Sequence, residues 1–183
     1  MSNDVSKVTT GKPKKGGAVF CAPIGTTLPT DATSALDNAF VGLGYCSEDG
    51  LTNSNSPSTD TVKAWGGDIV LVTESEKTDT FGFTLIQALA EEVLKVVYGD
   101  SNVTVAAGAI TIKANNQPAV ARSWVFDLKL ANNKMKRIVV PNAIISELGD
   151  ITYTDGDPVG YEITLTAMPD SNLDDDTHRE YIS

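Results

Sequence analysis

Residues 123–140, "SWVFDLKLANNKMKRIVV", decide the fold class. Trp124, Phe126, Leu128 and Leu130 alternate with Val125, Asp127 and Lys129, the period of two that turns one set of side chains toward a core. Asn132 and Asn133 then supply a turn, because short amide side chains suit tight reversals. Residues 119–130 and 134–141 are thus read as an antiparallel hairpin.

The same reading extends along the chain. Residues 159–168 alternate Tyr161, Ile163, Leu165 and Ala167 with Glu162, Thr164 and Thr166, and pair with 144–154 across Asp155-Gly156. The faces of 144–154 are both mixed, so its register stays open. Residues 68–74 and 77–83 are strand-like runs separated by Ser75 and Glu76, which predicts a tight hairpin; 102–113 predict a shorter one about Gly108.

One segment has a helical period. From Thr84, apolar residues fall at Leu85, Ile86, Leu89, Val93, Val96 and Val97, with Thr84 and Gln87 spaced as a capping box and Gly99 as a stop. A helix over about 84–98 follows, and a weaker helical turn is read at Ser34–Phe40. The fold class is mainly β: a sandwich or barrel with one flanking helix, and long extended loop and terminal arms.

Composition narrows the function classes. Of 183 residues, 41% are hydrophobic, enough for a real core, and the formal charge of −10 opposes any grip on nucleic-acid phosphates. Residues 1–15 carry four lysines, Lys7, Lys12, Lys14 and Lys15, against Asp4, whereas 170–183 carry five acidic residues against Arg179. Such ends either are solvated tails or steer subunits together. No apolar run reaches the length of a membrane span and no signal peptide is evident, so the protein is expected to be made in a cytoplasm.

A search for chemistry finds none. The only histidine, His178, lies in the acidic end and is read as an exposed tail residue; Cys21 and Cys46 lack a positioned base and are read as packed thiols. "DSNLDDDTHREYI", 170–182, begins with the spacing of a calcium loop, but Asp175 stands where glycine is needed and Tyr181 where glutamate is needed. "GGDIVLV" leads into a strand and lacks the signature of a phosphate loop. The expectation is a non-enzymatic protein with no cofactor and no metal.

What remains is a core, 18–169, with a polar arm at 1–17, a long loop of about 47–67, and the acidic tail 170–183. Trp65 sits at the end of that loop beside Lys63, Gly66 and Gly67. It either folds back onto its own core or meets another molecule.

Several stretches together resemble a family. These are "KGGAVFCAPIGTTLPTDATSALDNAFVGLGYCSEDGLTNSNSPSTDTVKAWGGDIV", "KTDTFGFTLIQALAEEVLKVVYGD" and "GYEITLTAMPD", with Gly44–Gly50, Lys63–Asp68 and Thr80–Gly99 the most specific. They resemble the major tail tube proteins of long, non-contractile-tailed bacteriophages, from about Lys15 to Asp170. The resemblance implies a β-sandwich subunit in hexameric rings that stack into the virion tube through which DNA is ejected. Implied partners are other copies of itself and the tail-tip, tail-terminator and tape-measure proteins, with DNA passing unbound. Many relatives add an immunoglobulin-like domain, which is not expected in a chain ending soon after Asp170. On this reading Lys12, Lys14, Lys15, Lys63, Trp65, Gly66 and Gly67 are expected at assembly interfaces, and Asp127 and Glu162 facing the lumen. The rival is a carbohydrate- or protein-binding β-sandwich module using Trp65, Trp124 or Tyr153 as a platform.

Overall fold

The computed structural model describes residues 3–183, so the first two residues of the N-terminal arm lie outside the described residues. In chain order the strands are β1 (Gly11–Pro13), β2 (Val19–Pro23), β3 (Val41–Gly42), β4 (Cys46–Lys63) and β5 (Ile69–Leu85). Helix α1 (Glu91–Tyr98) follows, then β6 (Val103–Ala106), β7 (Ala109–Ile112), β8 (Arg122–Leu130), β9 (Met135–Leu148), β10 (Tyr161–Ala167) and β11 (Arg179–Ile182). The main sheet is antiparallel in the order β3-β2-β8-β9-β10-β5-β4, with β1 on β8, β11 on β9, and β6–β7 apart as a hairpin.

The opening stretch forms the expected hairpin. Trp124 and Phe126 of β8 pair with Val140 and Ile138 of β9, and Asn132 and Asn133 both take positive φ in the turn. In a flat sheet β5 would lie three strands from β8, about 14 Å away. Instead Phe83 of β5 meets Phe126 at 5.4 Å and Trp124 at 5.9 Å between ring centroids, and Phe81 stacks on Phe126 at 5.6 Å. The sheet therefore curls on itself, and its inner face closes over Phe81, Phe83, Leu85, Ile163 and Leu165 with Val93 and Leu94 of α1. The class is mainly β, a sandwich with one helix, as expected.

The outer face of β8 and β9 is covered as well. Val125, Asp127, Arg137 and Val139 are buried there, and Arg137 Nη1 donates to the carbonyls of Asp31 and Ser34, holding the 24–40 segment against the strands. That segment makes no helical turn at Ser34–Phe40. The Asp31 carboxylate instead accepts the amides of Thr33 and Ser34, the local bond that draws aspartate into turns.

Other sequence expectations are corrected. The helix begins at Glu91, not near 84, because Thr84 and Leu85 complete β5 opposite Glu162 and Tyr161. Gln87 makes no capping box: its Oε1 accepts the Tyr45 amide at 3.2 Å. It lies so close to Gly44 (φ +78) that an added Cβ would stand 1.3 Å from that oxygen. Leu89, counted on the helix's apolar face, is 86% exposed in the turn before it.

The 47–64 segment is not a loop. It is β4, paired with β5 at Cys46 and from Leu51 to Lys63, with 47–50 bulging out between; the backbone ladder needs no apolar side chains. Nor do Ser75 and Glu76 form a turn: β5 runs through them, with a bulge where Ser58 faces Glu76 and Thr59 faces Glu74. Pro57 is tolerated because β4 is the edge strand. The 144–154 strand stops at Leu148, and 149–160 form a loop before β10. The 102–113 hairpin about Gly108 forms as expected, as β6–β7.

Both ends also pack more than expected. β1 pairs with β8 at Leu128–Leu130. In the acidic tail Asp170 caps a helical turn over Ser171–Leu173, Leu173 is buried, and β11 pairs with β9.

Candidate assembly interface

Beyond Asp79 the β4–β5 pair leaves the core as a two-stranded ribbon. Every residue from Thr52 to Thr78 is exposed. Ser56–Lys63 of β4 and Ile69–Thr78 of β5 project beyond the Asn55–Asp79 pair, a reach of roughly 26–33 Å at about 3.3 Å per residue. An isolated two-stranded hairpin is at best marginally stable in water. This one also carries exposed Ile69, Val70, Leu71 and Val72 on consecutive positions, hence apolar surface on both faces, opposite a mostly polar β4. Among the described residues nothing covers them.

The ribbon ends in a turn built by Gly66 and Gly67, whose φ values of +121 and +101 suit glycine. The Gly67 amide donates to the Ala64 carbonyl at 3.0 Å, and the Ala64 amide to the Asp68 carbonyl at 2.7 Å. Trp65 stands on that turn with its side chain wholly in solvent, at 106% of the reference exposure, so it is not part of its own core. Lys63, Trp65, Gly66 and Gly67 are thus brought together at one tip. Trp124, by contrast, is 1% exposed and belongs to the core.

At the ribbon's root the Asp79 carboxylate is buried and accepts three hydrogen bonds: from Asn53 Nδ2 at 2.8 Å, Thr177 Oγ1 at 2.6 Å and His178 Nδ1 at 2.5 Å. His178 also sets its ring edge-on to Phe81, with centroids 5.3 Å apart. The expectation of an exposed tail histidine is corrected: the C-terminal segment fastens the base of the ribbon.

Three of the N-terminal lysines, Lys12, Lys14 and Lys15, do not join the tip. Lys12 and Lys15 are exposed beside β8, while Lys14 Nζ lies 3.0 Å from Asp127 Oδ2. Asp127 does not face a lumen: it is 1% exposed, held by Arg137 Nε at 2.6 Å and Nη2 at 2.9 Å as well as by Lys14. Burial opposes its charge, but the hydrogen bonds and charges of Arg137 and Lys14 outweigh that and hold its pKa below the usual 3.8. A strand's alternation hid this, because its polar face lies under the 24–40 segment. Glu162 remains exposed on β10.

Desolvation pushes both thiols, the buried Cys21 and the half-buried Cys46, up to about 11. Asp170 and Asp176 are engaged within the tail, Asp170 with Asn172 and Asp176 with Arg179.

Sequence reasoning missed Asp79 and His178, and read Ile69–Val72 as ordinary strand. A usable signal was present: "DIVLV" lacks alternation, and a strand apolar on both sides next to a polar partner needs cover from elsewhere.

The curled β domain thus projects a ribbon whose apolar residues, Trp65 and Ile69–Val72, are exposed. The family model for phage tail tube proteins matches residues 2–180, and the chain belongs to that family. Its role is accordingly structural, as a virion component of the tail tube. No curated protein matches the chain.

Proposed function

We propose that the subunit forms hexameric rings that stack into the tube of a long, non-contractile tail and conduct DNA during ejection. The observation that carries this reading is the ribbon, with Trp65 at its tip and apolar residues on both faces. Such a surface is hidden only when another molecule lies against it, and for a tube subunit that molecule is another copy. Lys63, Trp65, Gly66 and Gly67 then serve the interface, with Lys12 and Lys15 as charged positions on a separate face.

A net charge of −10 suits a conduit, because a wall of carboxylates repels phosphates and lets DNA slide. Glu162, exposed on β10, is the lumen candidate. Subunits would assemble in the host cytoplasm with tape-measure, terminator and tail-tip proteins. Of the three aromatics a rival binding-module reading would use, Trp124 is buried, while Trp65 and Tyr153 are exposed but stand on separate elements, the ribbon tip and the 149–160 loop.

Electron microscopy of the concentrated protein tests the proposal. Hollow filaments with a ring repeat and sixfold end views are expected; a monodisperse small particle at all concentrations would overturn it.

A further inference from the structure

At the core end of β5, opposite the tip, the chain forms an apolar recess of about 530 Å³. Leu89 from the turn before α1, Ile110 and Ile112 from β7, and Tyr153, Val159 and Tyr161 from the 149–160 loop and β10 line it. Its rim is open: Leu89 is 86% and Tyr153 75% exposed, and Ile110 and Ile112 are also exposed large hydrophobics.

Two features of this chain are therefore unsatisfied, a tip that presents an indole and a recess that presents aliphatic and tyrosyl surface. They cannot meet within one subunit. From Ile69 to Leu85 the strand runs sixteen residue steps, roughly 50 Å at about 3.3 Å per residue. We infer that the Trp65 tip of one subunit seats in the Leu89–Tyr153 recess of a second copy. This rests on the reading of the chain as a self-assembling tube subunit and names the surface that receives the ribbon.

Charge agrees with that occupant. The loop bordering the recess carries exposed Asp150, Asp155 and Asp157, with no basic residue between 149 and 160, and Lys63 stands beside Trp65 at the tip. Position agrees too. Different patches of the same molecule meet at opposite ends of one long ribbon, which is a heterologous contact. Such contacts do not close as pairs; they propagate, as stacking along an axis requires. A tip-to-tip contact would instead pair subunits symmetrically and stop.

The experiment uses the full chain with Cys21→Ala and Cys46→Ser as background. One preparation adds Trp65→Cys, a second Leu89→Cys, and the two are mixed, assembled and mildly oxidised. A covalent dimer is expected in the mixture alone, and neither preparation oxidised by itself should give one. Tryptophan emission of the unaltered protein gives an independent reading: Trp65 starts in water and Trp124 is already buried, so assembly should shift emission to the blue, and Leu89→Asp should abolish both the shift and stacking. Hollow tubes that form without the mixed cross-link, or a cross-link within the Trp65→Cys preparation alone, would overturn the docking while leaving the tube reading intact. Absence of any assembly by the unaltered chain would overturn both.

Discussion

Removing the indole at the ribbon tip separates folding from assembly. In Trp65→Ala the subunit loses a side chain that is wholly exposed. Substitutions of that kind usually change stability by less than about 0.5 kcal/mol. For a domain of this size that is less than about 2 °C in Tm. If the indole is buried between subunits, it covers about 150–250 Å² there, worth about 4–6 kcal/mol at about 25 cal/mol/Å². Ordering the tip and imperfect burial reduce this, and aromatic interface anchors commonly register about 2–4 kcal/mol on truncation. At about 1.4 kcal/mol per decade, the association constant should fall roughly 30- to 700-fold. Thermal melting at low concentration measures the first quantity. Sedimentation of assembled material across a concentration series measures the second, as a rise in the critical concentration. A Tm lowered by several degrees, or an unchanged critical concentration, would refute the reasoning.

Three further outcomes follow from the core and the charge. Asp127→Asn leaves the buried Arg137 guanidinium with neutral partners only, the new amide and the carbonyls of Asp31 and Ser34, and should cost about 3–5 kcal/mol in urea unfolding. Because the folded-state pKa of Asp127 lies below its usual 3.8, its contribution is fully present above that value and is lost as pH falls through the depressed native one. Unfolding monitored below pH 4 should therefore lose part of its acid sensitivity in the variant. Cys21 and Cys46, raised to about 11, should resist a thiol reagent at pH 8 in the folded chain and react promptly in denaturant, which a timed labelling assay reads directly. Finally, the subunit should show no salt-dependent affinity for duplex DNA in electrophoretic titration, since its charge of −10 offers the phosphates no net attraction.

The parts of the fold that sequence made legible are those whose apolar residues alternate along a strand. β8, β10 and the inner half of β5 do so, and their apolar positions are the core residues Trp124, Phe126, Ile163, Leu165, Phe81 and Phe83, although β8 is covered on its other face too. Pattern reading failed where burial came from a third element. Asp127 alternates like a solvent residue yet lies under the 24–40 segment, beside Arg137. β4 failed for the opposite reason. Its serines, threonines and asparagines bury nothing, so no periodicity announces a strand; only the register with β5 holds it extended. The tip itself was legible in outline, since Trp65 followed by Gly66-Gly67 marks an aromatic on a turn. The recess was not, because Leu89, Ile110 and Tyr153 are distant in sequence and join only through the curl of the sheet.

A ribbon that long acts as a lever, and its usefulness depends on how its base is held. Beyond Asp79 neither strand touches the core, so the angle at which the tip leaves the subunit is set at the root. There one buried carboxylate gathers a donor from β4, Asn53, and two from the C-terminal segment, Thr177 and His178, all bonded to an acceptor on β5. β11 then fastens that segment to β9 through Arg179–Ile182, and Lys136 pairs with Glu180 at 2.7 Å across the same contact. The direction of the ribbon is thus tied to the body of the sheet by residues that are more than 95 positions later in the chain than the strand they hold. A buried aspartate with fewer donors would be left under-satisfied at a cost; with three donors, one of them the His178 ring packed against Phe81, it fixes one arrangement. The acidic end of the chain therefore sets the direction of the proposed assembly surface from behind, through geometry at the root, while the exposed apolar residues themselves, Trp65 and Ile69–Val72, stand at the far end of the ribbon.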